Sequence, residues 1–503
     1  MVVALAMLLP TAMAAQSTYE ELQAFSGVLN QVRRNYVDSV TAPQLVRSAI
    51  QGMLRSLDPH SYYLPRAQAA RIDAWEAGEL AGIGVALEMV EDRITVLAVF
   101  PHSPADRVGL RPGDRLLVIN DSTTSGRTSS QVRSLLIGPR GTEVNLLLER
   151  GSRLEPDTLR LKMKSDFLKP DAIGSAIVLD GRTGYVRLTE FNATAARELE
   201  DAIQNLHPQR LILDLRGNPG GRLYQAEEVA ALFFPDSTLV FRTEGRRRNV
   251  RQRYFSKKDG RFLELPLVVL IDGGSASAAE ILAGSLQDHD RALLVGRRSF
   301  GKALMQMPFV IPPRGDMVFL TIGYVLTPSG RLIQRPYHGL TVEEYTENGG
   351  TDQSSSVDST TFLTDRGRSV RAGGGIAPDV RLPPVPAAPA WLSVAIDRSV
   401  DVVVADSVAN ASPAPKALPA WVADSASWST MVAPFRDHVR RDLEVEANID
   451  AGLARYLARR LAARVAGVRW GREGRELFEI RTDPDVAAAV AAFDSLPAML
   501  NGP

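Results

Sequence analysis

The spacing of apolar side chains divides the chain into three kinds of segment. From 18 to 57 they recur at helical spacing, until Pro59 disfavours a helical conformation for Asp58. Between 76 and 165, short strand-like runs are separated by turns rich in proline and glycine. From 184 to 295, strand-like and helix-like runs alternate, which favours parallel strands joined by right-handed helical crossovers.

This pattern predicts an α+β multidomain protein. The predicted divisions are a signal peptide at 1–15, a helical N-terminal region at 16–75, a β-rich module at 76–165, an α/β core at 166–382, a linker at 383–430 and a helical region at 431–503. Residues 312–336 resemble a β-hairpin, and the polar stretch 346–358 is predicted to be a loop. For the final region, the pattern leaves open a dimerisation arm, a lid and a structural cap.

The first residues predict export. A short apolar run is followed by Ala12-Met13-Ala14, which has the small residues that signal peptidases read. The run lacks a preceding Lys or Arg, so an uncleaved anchor and a buried N-terminal helix are the alternatives. We expect an exported protein, periplasmic, or membrane-associated on the periplasmic side if the segment is retained.

The amino-acid composition excludes several classes of function and active site. The 58 basic and 58 acidic residues give a net charge of zero, so no overall field attracts nucleic acid. The chain has no cysteine, which excludes thiolate nucleophiles and cysteine-ligated metal sites. No two of its six histidines have zincin spacing. We therefore expect no metal, no cofactor and no nucleic-acid partner.

Three loops each follow an apolar strand of the predicted sheet: Asp214–Gly221, Asp272–Glu280 and Gly296–Lys302. Loops that follow successive parallel strands emerge at one sheet edge, where ligands bind. The three loops should therefore line one crevice. There Ser277, at the start of a helix, and Lys302 are the available nucleophile and base; a plain helix-capping serine is the alternative.

Two other interpretations of these loops are weaker. Gly296–Lys302 fits part of a P-loop, but Ala303 stands where a Mg²⁺-binding hydroxyl is needed and prolines follow. His289 lies at the far end of the helix that Ser277 begins, ~16 Å away at 1.5 Å per residue. It is therefore interpreted as a surface histidine at a helix C-terminus.

At this point the sequence resembles the carboxy-terminal processing peptidases, a family of exported serine proteases also called tail-specific proteases. The matching segments are Ser56–Ser61, Gly82–Val85, Ser103–Ala105, Gly109–Asp114, Asp214–Gly221, Ser275–Glu280, Phe300–Lys302, Thr327–Arg331 and Gly374–Asp379. The resemblance implies a PDZ domain at 76–165 and a crotonase-like ββα protease core at 166–382.

Residue by residue, the resemblance places the nucleophile at Ser277, the general base at Lys302 and a lysine-orienting residue at Gln306. It implies an oxyanion hole formed by the backbone N–H groups of Ala278 and of Gly220 or Gly221. The loop Gly82, Ile83, Gly84 and Val85 is expected to bind the free C-terminal carboxylate of a peptide through backbone N–H groups.

The implied function is endoproteolysis, through a Ser-Lys dyad, of exported proteins held by their C-terminal tails. Partners are then proteins or peptides with free C-termini; a homo-oligomer is left open. For Lys302 to act as a base, the site must disfavour its ammonium form by ~3 to 4 kcal/mol. The alternative is a catalytically silent PDZ adaptor or scaffold that binds protein C-termini.

Overall fold

The computed structural model describes residues 9–66, 68–69, 81–90, 93–100, 103–111, 113–127, 129–150, 157–167, 171–340, 344–345, 360–385, 388–398, 400–411, 417–496 and 498. Residues 1–8 of the predicted signal peptide and the predicted loop 346–358 lie outside these ranges. The described helices are α1 (Leu9–Asn35), α2 (Ala42–Arg55), α3 (Pro104–Arg107), α4 (Ser129–Leu136), α5 (Ala195–Leu206), α6 (Leu223–Ala231), α7 (Ala278–Asp288), α8 (Ala390–Asp397), α9 (Val400–Ala411), α10 (Leu418–Ala423), α11 (Ser425–Thr430), α12 (Val432–Leu443), α13 (Ala451–Arg481) and α14 (Pro484–Ala492).

The described strands are β1 (Tyr62–Leu64), β2 (Ala81–Gly82), β3 (Val85–Val90), β4 (Arg93–Val99), β5 (Arg115–Ile119), β6 (Ser122–Thr123), β7 (Ile137–Gly138), β8 (Glu143–Arg150), β9 (Asp157–Lys164), β10 (Asp166–Phe167), β11 (Ile173–Val178), β12 (Thr183–Leu188), β13 (Arg210–Asp214), β14 (Leu239–Gly245), β15 (Gln252–Phe255), β16 (Leu267–Ile271), β17 (Leu293–Gly296), β18 (Leu304–Ile311), β19 (Asp316–Leu326), β20 (Thr361–Leu363), β21 (Ser369–Arg371) and β22 (Val380–Arg381). Among the described helices, none combines a bilayer-spanning length with sufficient apolar character.

One compact unit contains residues 1–69, 306–322 and 337–342. Its helices α1 and α2 match the helical spacing in the sequence. The α2 helix begins after Thr41, whose hydroxyl accepts the N–H of Gln44, and Pro43 lies in the first turn. The strand β1, which the pattern did not predict, pairs antiparallel with the first half of β19, where Tyr62 stacks on Phe319.

The second unit contains residues 70–305, 323–336 and 343–503. Its β-rich part forms an antiparallel sheet in the order β3-β4-β5-β8-β9, with a smaller sheet β10-β2-β7. The buried residues of this part include Ile83, Ile94, Leu116 and Leu148, and the helix α4 contributes Val132 to the same cluster. Alternating apolar residues along the strands thus supply the core that the sequence pattern indicated.

The α/β part contains a sheet in the order β11-β12-β13-β16-β17-β22. The pairs from β12 to β22 are parallel, as predicted, whereas β11 is antiparallel to β12. In β16, Leu267, Val269 and Ile271 face one hydrophobic cluster, while Val268 and Leu270 face another. Burial on both faces explains why this strand is a continuous apolar run.

The C-terminal region supplies the cover for the second face. Val486, Ala489 and Phe493, in and just after α14, pack in the same cluster as Val268 and Leu270 of β16. Among the functions left open by the sequence, this packing supports a structural cap for the last part of the chain.

The structure does not show the linker that was predicted at 383–430. This segment contains α8, α9, α10 and α11. Its proline and alanine content resembles a linker, but Leu392, Val404 and Trp421 are buried in one hydrophobic cluster with Phe435 and Leu461. Their burial stabilises helices that composition alone did not reveal.

Candidate functional site

Ser277 occupies a strained turn between β16 and α7. Its φ is 55° and its ψ is −115°, a conformation that non-glycine residues rarely adopt. The residue is half-buried, whereas its neighbours Ala276 and Ala278 are buried. A serine held at a helix N-terminus in this way presents its hydroxyl next to unpaired backbone amides.

The first loop packs directly against this turn. The N–H of Ala276 donates to the carbonyl of Asn218 over 2.9 Å. Gly220 has a φ of 97°, and a Cβ placed on it would lie 2.7 Å from the Ser277 Cβ and 2.8 Å from the Ala278 nitrogen. The first two loops therefore meet at the nucleophile candidate, as predicted.

The two glycine candidates for the oxyanion hole differ in their hydrogen bonds. The N–H of Gly220 donates to Asn218 Oδ1 over 2.8 Å. Among the described residues, the N–H groups of Gly221 and Ala278 have no acceptor. Ala278 is the first residue of α7, where an amide has no partner within its own helix.

Glu280 joins the second loop to the third. Its Oε2 accepts the N–H of Ser277 over 2.9 Å and the N–H of Lys302 over 2.8 Å. Its Oε1 accepts the hydroxyl of Ser299 over 2.5 Å and the N–H of Gly301 over 2.7 Å. One carboxylate thus fixes the backbones that carry both candidate catalytic residues.

The carboxylate of Glu280 is fully buried. Burial raises the pKa of Glu280 to about 7, although the four donors act in the opposite direction. From the sequence, Glu280 was recognised only as part of a matching segment and had no predicted role. The spacing Ser277-x-x-Glu280 is a capping-box pattern, and that was the available signal.

Lys302 follows Gly301, whose φ is 91°, and is half-buried. The next residue, Ala303, is buried and accepts the N–H of Val325 over 2.8 Å. The third loop also bonds to the second, because the N–H of Phe300 donates to the carbonyl of Ser275. All three predicted loops therefore converge at one edge of the sheet.

Two arginines of the site loops share a carboxylate from α14. Asp485 contacts Arg297 of the third loop at 2.6 Å and Arg216 of the first loop at 3.1 Å. Arg216 also pairs with the buried Asp214 at 2.7 Å, and Asp483 lies 2.9 Å from it. These cations lower the pKa of Asp485, although its burial acts in the opposite direction. We call Arg216, Arg297, Asp483 and Asp485 the arginine clamp; it was not predicted from the sequence.

The remaining predicted residues lie elsewhere or differ in environment. Gln306 belongs to the first compact unit, where its Nε2 donates to Thr321 Oγ1 over 3.4 Å; its action on Lys302 stays a prediction. His289 follows the last residue of α7 as expected, but its side chain is only 16% exposed. Asp365 and the carbonyl of Leu239 each lie 2.7 Å from a ring nitrogen. The strand β18 follows Lys302 where a P-loop needs a helix.

The predicted carboxylate-binding loop begins in β2 and ends in β3. Gly84 has a φ of 81°, and its carbonyl accepts the N–H of Phe100 over 2.9 Å. Ile83 is buried, and among the described residues the N–H groups of Ile83 and Gly84 have no acceptor. Adjacent amides of this kind can bind a carboxylate.

Three family models match the chain. Residues 182–346 match peptidase family S41, residues 95–150 match a PDZ domain, and residues 6–67 match the N-terminal domain of the activating protease CtpB.

Two curated relatives that each cover about three fifths of this chain agree with these matches. A carboxy-terminal-processing protease of Bartonella bacilliformis is 36% identical over 63% of this chain and 74% of its own length. The carboxy-terminal processing protease CtpA of Bacillus subtilis is 32% identical over 61% of this chain and 65% of its own length. A solved photosystem II D1 C-terminal processing protease is 23% identical, with a TM-score of 0.38 over 71% of this chain and 92% of that one. The chain belongs to the family of carboxy-terminal-processing proteases, which are serine protease hydrolases with a PDZ domain.

Proposed function

We propose that this protein is an endopeptidase with a Ser277–Lys302 dyad, and that it cleaves exported proteins held by their C-terminal tails. The main support for the dyad comes from the hydrogen bonds of the Glu280 carboxylate. One of its oxygens accepts the N–H groups of both Ser277 and Lys302. This bond pair supports a common site for a hydroxyl and an amine that are distant in sequence.

In the first step, the neutral amine of Lys302 accepts the proton of the Ser277 hydroxyl while Oγ bonds to the substrate carbonyl carbon. The carbonyl oxygen becomes negative. We assign its two donors to Ala278 N–H and Gly221 N–H, since Gly220 N–H is bound to Asn218. Lys302 then returns its proton to the leaving amine, the peptide C–N bond breaks, and an acyl-enzyme remains.

In the second step, Lys302 accepts a proton from water, whose oxygen attacks the acyl carbon. The bond to Ser277 Oγ breaks, the serine regains its proton, and the carboxylic acid product leaves. The neutral amine that this cycle needs is favoured by apolar surroundings, and the adjacent Ala303 and Leu304 are both buried.

Substrate capture is assigned to the PDZ domain. The N–H groups of Ile83 and Gly84 support this role because they are adjacent and lack acceptors among the described residues. A peptide bound through its terminal carboxylate has the rest of its chain available to the protease part. Cleavage should therefore be faster for a free C-terminus than for an amidated one.

The test uses one unstructured peptide with either a free or an amidated C-terminus. We expect cleavage by the wild type, and loss of cleavage in Ser277→Ala and in Lys302→Met. The control is Lys258→Met, which removes an exposed lysine that has no ion pair among the described residues. Cleavage by Ser277→Ala at the wild-type rate would exclude the dyad. Binding without cleavage by the wild type would favour the adaptor.

A further inference from the structure

A basic groove lies on the sheet formed by β14, β15 and the second half of β19. Its volume is about 850 Å³. Its lining residues are Arg242, Thr243, Glu244, Gly245, Arg246, Arg251, Gln252, Arg253 and Tyr324. In a chain with a net charge of zero, four arginines and one glutamate in a single groove are a marked local excess of positive charge.

The arginines of this groove have little internal compensation. Among the described residues, one carboxylate lies within 4 Å of these arginines. It belongs to Glu244, which is 3.9 Å from Arg242. Arg246, Arg251 and Arg253 are exposed. Within the described part of the chain, the buried Nε of Arg242 has no hydrogen-bond partner.

Strand register adds a repulsive pair. Arg242 of β14 lies directly opposite Arg253 of β15. Like charges at such positions destabilise a sheet. An anion placed between them would remove the repulsion, which gives the groove a physical reason to bind a negatively charged group.

The groove is continuous with the strand that reaches the candidate active site. Thr243 pairs with Val325, and the N–H of Val325 donates to the carbonyl of Ala303, the residue after Lys302. Tyr324, one residue earlier, is 39% exposed and contributes a ring to the groove. In the described residues, β15 pairs with β14 alone, so its other edge is available to an extended chain.

We propose that this groove binds an acidic segment of the peptide substrate, in extended conformation, next to the cleavage site. The inference rests on the proposed function in that the peptide is the substrate. A groove of this size accommodates side-chain carboxylates. Among the described residues, the outer edge of β15 is unpaired, and an extended peptide can pair with it whereas a lipid surface cannot. A peptide is therefore the favoured occupant.

The test separates binding from cleavage. Two labelled peptides share the same C-terminus and differ by an Asp-Glu-Asp segment or its Asn-Gln-Asn counterpart. Their affinity is measured by fluorescence anisotropy on the Ser277→Ala protein, with and without Arg246→Gln, Arg251→Gln and Arg253→Gln together. The matched control replaces Arg436, Arg455 and Arg472, three exposed arginines of the C-terminal helices, by Gln.

We expect the Ser277→Ala protein to bind the acidic peptide about tenfold more tightly than the neutral one. The groove variant should lose this preference and the control should keep it; added salt should weaken it. Equal affinities for both peptides would overturn the proposal. So would a preference retained in the groove variant, or anionic phosphatidylglycerol vesicles that bind through these arginines while the acidic peptide does not.

Parallel cleavage assays with active protein distinguish failure of the groove proposal from failure of the proposed catalysis. If the wild type cleaves both peptides with the same kcat/KM, the groove proposal is wrong and the proposed protease activity is supported. If neither peptide is cleaved but the acidic one binds through the groove, the proposed catalysis fails and the groove stands.

Discussion

At the scale of single residues, the site depends on backbones that approach too closely for side chains. Gly220 is the clearest example, since any Cβ there would overlap the turn that contains Ser277. Gly217, in the same loop, also has a positive φ of 68°, but the nearest atom to a Cβ there is 3.8 Å away. The two glycines therefore separate backbone strain from steric conflict at the site.

Replacing Gly220 by Ala should lower kcat by about 100-fold, because the added methyl group displaces the Ser277 turn. The matched Gly217→Ala variant should lose about 1 kcal/mol of stability from its left-handed backbone and keep its cleavage rate. Peptide hydrolysis and urea unfolding of both variants check this. Equal losses of activity would contradict the assigned approach of Gly220 to Ser277.

Glu280 makes stability depend on pH. Since burial raises its pKa from 4.5 to about 7, the folded protein holds a proton that the unfolded chain releases. The resulting stability is fully present below about pH 4.5 and is lost as pH rises to about 7. The loss should be on the order of 3 kcal/mol.

The measurement is the free energy of unfolding from pH 4.5 to 8 for the wild type and Glu280→Gln. The difference between the two curves should change across this range, because glutamine does not titrate. Ser299→Ala removes a hydrogen bond that lowers the pKa of Glu280, so its loss of stability should occur at higher pH. Parallel curves for all three proteins would show that Glu280 does not titrate here.

At the scale of elements, α14 connects two of the site loops. Each loop follows a strand of the sheet, so the sheet fixes the position of the first residues of the loop alone. The arginine clamp joins Arg216 after β13 to Arg297 after β17 through one carboxylate, Asp485. Arg216 is largely buried, and its pairing with Asp214 raises its pKa, although burial acts in the opposite direction. The clamp therefore holds a permanent cation in the loop that contains Gly221, one of the two proposed oxyanion donors.

Asp485→Asn should lower kcat about tenfold, because Arg297 loses its carboxylate partner and the link between the two loops is broken. It should also cost about 2 kcal/mol of stability. The control is Asp494→Asn, just beyond the same helix, where the carboxylate is exposed and has no ion pair among the described residues. Activity and urea unfolding are measured together. An Asp485→Asn enzyme with wild-type kcat would reduce the clamp to a purely structural contact.

At the scale of the whole molecule, the parallel topology was predictable because alternating strands and helices permit few arrangements. The convergence of the three loops followed from that topology. Glu280 and Asp485 were not assigned roles because their partners are distant in sequence: Lys302 for one, Arg216 for the other. Composition likewise could not show that Trp421 is buried against the C-terminal helices.

The packing of α14 against the sheet can be tested at one buried position. Ala489 of α14 is fully buried in the cluster that covers β16, whereas Ala487, two residues earlier, is exposed. Ala489→Asp places an unpaired carboxylate in that cluster and should cost about 3 kcal/mol or more. Ala487→Asp keeps the charge change but leaves the cluster intact, so its cost should stay within about 0.5 kcal/mol.

Urea unfolding followed by circular dichroism, with peptide cleavage measured in parallel, gives this difference. A lower midpoint in Ala489→Asp alone shows that the C-terminal helix forms part of the folding unit that contains the three site loops. Unchanged midpoints in both variants would mean that the helix is an independent addition to the sheet. Because Asp485 lies on the same helix, dissociation of that helix would also release the arginine clamp, so activity should be lost no later than the sheet unfolds.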